Sequence, residues 1–301
     1  MPVTSPSARL RSFAVRGVIW RKYLDWAAEN LPFYFYPILI FFCSLFFFCV
    51  AGPARRAIAR NLALVNPKQR LRNGFRAFSV FQNFAWTIAE AAVHRINEIP
   101  FRYDLPGEEN LRALSQANGA IVLTAHMGSY DLGAALFGEK FDRQIRIVRA
   151  READPESARH LDDTLRDARG GGVRVDYNTG EAALSFELLN ALRAGEIVSL
   201  QGDRVVENVA AIEVELFNEK IRIPAGPFTL ALVTGTEIYP LFISRLGFRH
   251  YEVNTCLPFR CVRTTRGRQN DLDESAQIWA DILKETLKRH QRQWFAFTPV
   301  W

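Results

Sequence analysis

The chain has 301 residues, 49% apolar, 12% aromatic and 23% charged, with a formal net charge of +6 and a pI near 9.3. That length buries a sizeable core without disulfide or metal staples, and the composition excludes a disordered chain, a collagen-like repeat and a long coiled coil. The modest positive excess suits an anionic membrane surface, an acidic partner or nucleic acid, and does not choose among them.

Residues 1–30 read as a basic segment, with Arg9, Arg11, Arg16, Arg21 and Lys22. Residues 30–54 carry no charge, and the run Phe33–Ala51 is mostly aromatic or aliphatic. As a helix rising about 1.5 Å per residue, it is about 28 Å long, enough to cross a hydrocarbon core. A membrane anchor is therefore expected at 31–53, with a buried core helix as the alternative. Pro32 and Pro37 fall near its start, where a helix tolerates proline best. The run begins too late and is too long for a cleavable signal peptide. Arg55, Arg56, Arg60, Lys68, Arg70 and Arg72 follow it, so basic residues flank both ends and fix no orientation. A spanning helix and one dipping into a single leaflet both remain open.

Residues 54–99 read as a helical segment packing on the body of the protein. Apolar residues recur three and four apart at Ile58, Leu62 and Val65, then at Phe75, Phe78, Phe81, Phe84 and Ile88. Asn66-Pro67 divides the segment into two helices. From residue 100 to 301 strands and helices alternate. Strands are expected at 120–125, 145–148, 173–175, 197–200 and 238–243. Helices are expected at 130–139, 155–168 (stopped by Gly170-Gly171-Gly172), 180–194 (capped by Gly195), around 228–233 and at 271–290. This is an α/β fold, a mostly parallel central sheet flanked by helices. Cys256 and Cys261 have no clustered His or second cysteine pair to complete a zinc site, so no metal is expected and the four cysteines read as reduced thiols.

The most informative segment is Thr124-Ala-His126-Met-Gly-Ser-Tyr-Asp131. In open α/β sheets, sites lie at the carboxyl ends of strands. His126 falls where the apolar strand stops, and Asp131 falls in the first turn of the next helix. Gly128 permits a tight reversal between them. A carboxylate holding one imidazole nitrogen leaves the other as a base. No G-x-S-x-G elbow occurs, and Ser129 is a minor candidate for a nucleophile.

This segment is similar to the H-x4-D/E signature of the lysophospholipid acyltransferase-like superfamily. Residues 54–301 resemble, more specifically, the late (lauroyl/myristoyl-type) acyltransferases of lipid A biosynthesis. The similarity runs in order through Arg60–Pro67, His126 and Asp131, Arg149, Gln201-Gly202-Asp203-Arg204, Ile223–Pro227, Ile238–Phe242 and a Trp-rich tail. It implies transfer of a fatty acyl group from acyl carrier protein or acyl-coenzyme A to a lipid hydroxyl, with no cofactor and no nucleic-acid partner. It implies a bacterial inner-membrane location with the catalytic domain facing the cytoplasm. His126 is then the general base and Asp131 orients it, while Arg149, Asp203, Arg204 and Gly226 are substrate-binding candidates. Asp203 and Arg204 could instead pair with each other. Asp131 stands where many lipid A enzymes carry Glu. Ala225 replaces a Glu typical of the glycerol-phosphate branch, which makes that acceptor a poor fit. An ornithine lipid, another glycolipid or a pigment lipid are alternative acceptors, and a non-catalytic membrane-anchored scaffold is an alternative of another class.

A His base carries a kinetic signature. The rate is expected to rise across about pH 6–7, where an ordinary imidazole loses its proton. A flat profile there, with chemistry rate-limiting, counts against the assignment.

Overall fold

The structure, a computed structural model, describes residues 18–129, 133, 137, 140–150, 173–178, 182–205 and 209–301. The chain enters through α1 (Val18–Asn30), a short 3-10 turn (Phe33–Phe35), α2 (Tyr36–Val50), α3 (Gly52–Val65) and the long α4 (Arg70–Asn97). Then follow β1 (Arg102–Asp104), α5 (Glu108–Gln116), β2 (Ala120–Thr124), β3 (Ile145–Ala150), β4 (Val173–Asn178) and α6 (Ala182–Arg193). The remainder is β5 (Ile197–Gln201), β6 (Ala211–Leu216), β7 (Glu219–Pro224), α7 (Gly226–Thr234), β8 (Ile238–Gly247), β9 (His250–Thr255) and α8 (Arg268–His290). The helix expected at 155–168 and its glycine stop lie outside the described residues, as does most of the helix expected at 130–139.

Seven strands form one sheet in the order β1-β9-β8-β2-β5-β3-β4. β2 pairs in parallel with β5 and β8, and β3 in parallel with β5 and β4. β9 runs antiparallel to β8, and β1 pairs in parallel with β9. The physical reason lies in β2: all five of its residues are buried. A parallel strand covered on both faces reads as an unbroken apolar run. One face packs Ile121, Leu123, Val198 and Phe242 against α6, α7 and α8, where Trp279 stacks on Phe242. The other packs Val122, Ile147 and Tyr239 against Leu111 and Leu114 of α5.

The β6–β7 hairpin, absent from the elements expected on sequence, forms a separate two-stranded sheet. Its first strand alternates buried Ile212, Val214 and Leu216 with exposed Glu213 and Glu215. The turn, Phe217-Asn218, takes positive φ at both residues. That is the backbone of a two-residue hairpin turn, here without the glycine that normally signals it. No element is expected on sequence at 18–30 either, whereas α1 is a helix that ties to α4 through an Asp25–Arg95 ion pair.

Asn66-Pro67 does break the helical segment, giving α3 and α4. The 28-residue α4 is the hinge plate of the molecule. It carries α2 through Phe78 and Phe81, which meet Phe48 edge-on. It grips the β8–β9 hairpin through Glu90, which is buried. Arg245 of β8 donates to both Glu90 oxygens, and the Arg249 amide and the Tyr251 hydroxyl also donate to it. The Trp86 ring covers the Arg245 guanidinium.

Removing one member of a buried charge pair leaves the other uncompensated. Glu90→Ala is expected to cost about 3–5 kcal/mol of unfolding free energy in denaturant titration, far more than an exposed pair such as Lys220–Glu213.

Candidate active site

β2 delivers His126 to the carboxyl end of the sheet. The Met127 amide bonds back to the Ala125 carbonyl at 2.7 Å, so the chain turns as soon as the strand ends. Gly128 then takes φ +51°, and a Cβ there would sit 2.0 Å from the Ile243 carbonyl oxygen. Only glycine fits this close approach of the turn to β8.

β5, the neighbour of β2, delivers the partner. The Gly202 amide extends the pairing by donating to the Thr124 carbonyl at 2.8 Å. Its own carbonyl accepts the Trp279 indole N–H at 2.9 Å. A Cβ on Gly202 would crowd Leu123 and Trp279 at 2.8–2.9 Å. Wedged this way, the chain presents Asp203 directly beneath His126. Asp203 Oδ1 lies 2.7 Å from His126 Nδ1, and its side chain is 0% exposed, against 15% for the imidazole.

The second carboxylate oxygen is engaged too. The Trp294 indole N–H donates to Asp203 Oδ2 at 2.8 Å. Met127 and Trp294 form an antiparallel bridge, and the Phe295 amide donates to the His126 carbonyl at 2.8 Å. This C-terminal segment is itself held from α3. Asn61, buried, donates to the carbonyls of Ala296 and Thr298 and accepts from the Val300 amide.

Burial pushes the Asp203 carboxyl up. The His126 ring beside it, the Arg204 guanidinium and the Trp294 N–H outweigh burial and hold it at about 2. Near neutral pH Asp203 is therefore an anion placed to accept Nδ1–H, a contact that favours that tautomer. Proton uptake then falls to Nε2. This is the arrangement a general base needs.

The other expected site residues distribute unevenly. Arg204 joins the cluster through its charge on Asp203. Arg149 stands in β3, two residues beyond the Ile147–Ser199 pairing, which makes it level with Gln201 and hence with Thr124. It thus lies at the same edge of the sheet as His126, one strand removed. Its basic neighbours are structural: Arg143 donates to the Ser115 and Ala117 carbonyls, and Arg146 is buried against Asp176. Gly226 opens α7, is exposed, and has open space where a Cβ would be. No hydrogen bond among the described residues draws it to His126 or Asp203. Asp131 lies outside the described residues.

On sequence, Asp203 reads as a substrate contact or a partner of Arg204, and Trp294 and Phe295 are merely part of the Trp-rich tail. Only the tail's aromatic content hints at them. No local pattern links positions 77 and 91 residues apart.

A family model described as bacterial lipid A biosynthesis acyltransferase matches residues 25–301. Two phosphatidylinositol mannoside acyltransferases of Mycobacterium tuberculosis, from strains CDC 1551 / Oshkosh and H37Rv, are 26% and 27% identical over 193 and 194 residues. Each alignment covers 63% of this chain and 56% of the relative. A phosphatidylinositol mannoside acyltransferase of Mycolicibacterium smegmatis is 24% identical over 195 residues, 59% of its length. The chain thus spans little more than half the length of these curated relatives.

The Asp203 ionisation predicts an acid signature. Its folded value lies below the unfolded one of about 3.9, so its contribution is complete above that pH and lost as pH falls toward about 2. Acid unfolding should therefore be steeper below pH 4 for the wild type than for Asp203→Asn. Parallel curves would contradict the buried anion.

Proposed function

Because the chain belongs to the bacterial lipid A biosynthesis acyltransferase family, we propose that it moves a fatty acyl chain from a thioester to a hydroxyl of a membrane lipid. The observation that supports this reading best is the 2.7 Å contact between His126 Nδ1 and the buried Asp203 carboxylate. Nε2 takes the acceptor proton as the hydroxyl oxygen attacks the thioester carbonyl. A C–O bond forms, the tetrahedral intermediate collapses, and the C–S bond breaks. His126 returns its proton to the departing thiolate, which leaves as a thiol. The nucleophile is the acceptor, so no acyl-enzyme is required.

Asp203 holds the ring and stabilises the imidazolium as it forms. Arg149 and Arg204, at the same sheet edge, are suited to counter the oxyanion or an anionic headgroup. Asp131 is the second candidate for orienting His126, on the H-x4-D resemblance. The donor in this reading is acyl carrier protein or acyl-coenzyme A. The site is the cytoplasmic face of the bacterial inner membrane, reached through the apolar α2. The acceptor is a glycolipid, with a lipid A precursor as first choice. A mannosylated phospholipid follows from the names of the mycobacterial relatives and is the second choice.

Lipid mass spectrometry of cells lacking the protein, or carrying wild type or His126→Ala, tests the reaction class. One lipid should lose a single acyl chain in the null strain and regain it with wild type only. The mass difference then identifies acceptor and acyl length. With the purified enzyme, Asp203→Asn should lower kcat/KM by about 10²–10⁴-fold, and Asp131→Asn, run in parallel, ranks the two carboxylates. Full restoration of the lipid by His126→Ala would sink the catalytic assignment and bring the scaffold reading forward.

A further inference from the structure

Helix α2 is apolar on every side, yet it is covered only toward α4 and where Trp20 of α1 packs on Phe46 and Phe47. Tyr36, Ile40 and Ser44 are buried on the α4 side. Ile38, Phe41, Phe42, Leu45 and Phe46 are exposed, Phe42 at 62%, and their spacing puts them in one stripe. A helix facing water carries polar residues there. The stripe also continues past the helix. Phe33 stacks on Phe248, in the turn between β8 and β9, with ring centroids 6.2 Å apart. Leu246 and Phe248 are themselves 45% and 43% exposed. The apolar surface therefore runs from α2 onto the end of β8 and the β8–β9 turn.

A perpendicular crossing of a bilayer conflicts with this packing. α2 lies against α4 from its start, where Tyr36 and Ile40 join Ala89 and Val93, to its end, where Phe48 meets Phe78 and Phe81. α4 is fastened to the body over the same stretch, by Glu90 to Arg245, by Asn83 to the Arg292 carbonyl, and by Phe84 to Phe295. Moving α2 through the membrane would carry these charges and the strand edge of β1 and β9 into hydrocarbon, where backbone and charge go unsolvated.

We infer that α2 lies along a single leaflet, immersed on one side together with the Leu246–Phe248 turn, as a monotopic surface. This rests on the membrane location proposed for the enzyme. Lipid fits the surface better than a second copy of the chain. α2 offers no charged group to fix a protein register, and the exposed cations Lys22 and Arg56 stand before and after it, where anionic headgroups of the same leaflet meet both. Tyr23 stacks on the half-exposed Trp26 beside this region, the residue types found at headgroup depth.

Sidedness tests this directly. Glu29→Cys and Pro53→Cys, each in a chain whose native cysteines are serine, would be probed with an impermeant maleimide in sealed right-side-out and inside-out membrane vesicles. Both positions should react from the same face. Reaction from opposite faces overturns the inference. Flotation of the full chain, native cysteines intact, uses vesicles of phosphatidylcholine with a minority of phosphatidylglycerol. Phe42→Glu and Phe248→Glu should each weaken binding about tenfold or more, with the far-UV spectrum unchanged. Unaltered binding by Phe248→Glu removes the sheet turn from the surface. A wild-type chain that does not float at all, or that pairs into dimers instead, defeats the membrane reading itself. A chain that floats but labels from opposite faces defeats only the single-leaflet geometry.

Discussion

One buried carboxylate organises this protein. Asp203 is sealed from solvent and remains charged because two groups from distant parts of the chain, the His126 ring and the Trp294 indole, hydrogen-bond it, and the charge of the adjacent Arg204 adds to them. A carboxylate desolvated without them would simply protonate. Each element around it can be understood by what it delivers. β2 supplies the imidazole, β5 with Gly202 supplies the carboxylate, Trp279 wedges the turn, and the segment after α8 supplies the closing donor.

That convergence explains which features are legible in the sequence. β2, β5 and β8 are legible because strands covered on both faces read as near-continuous apolar runs, as in Ala120–Thr124 and Ile197–Leu200, and β3 is legible from Ile145, Ile147 and Val148 although the buried Arg146 interrupts it. The break at Asn66-Pro67 is legible because proline disfavours the helical conformation for the residue before it and is tolerated in a helix only at its first turn. His126 is legible as a polar residue at the end of such a strand. The contact of Asp203 with His126 is not. Asp131 is near in sequence, Asp203 is near in space, and only the parallel register Thr124–Gln201 brings the two strand ends level. The docking of α4 on β8 and β9 is equally hidden, since Glu90 meets Arg245 and Tyr251 in a pairing without local pattern.

α4 has two unlike clients. Toward the body it offers Glu90, Asn83 and Phe84. Toward α2 it offers Phe78, Ala89 and Val93. Phe75, with no partner ring among the described residues and 82% of its surface exposed, extends the aromatic row beyond both. The row that periodicity alone marks as packing is thus divided along its length between a helix, an aromatic tail and solvent. Because Phe84 touches Phe295, and the Phe295 amide bonds the His126 carbonyl, a single residue separates this helical layer from His126.

The strap formed by residues 291–300 also has a kinetic meaning. It joins Asn61 to a segment 235 residues away and closes the Asp203 site from 91 residues away. Closing loops of this length slows folding, and the sheet closes comparable ones when Ile121 pairs with Ile238 and Arg102 with His250. Trp294 and Ala296 belong to the main buried core. The core is therefore complete only once the strap has docked, so the packing of the sheet and the setting of the imidazole are acquired together.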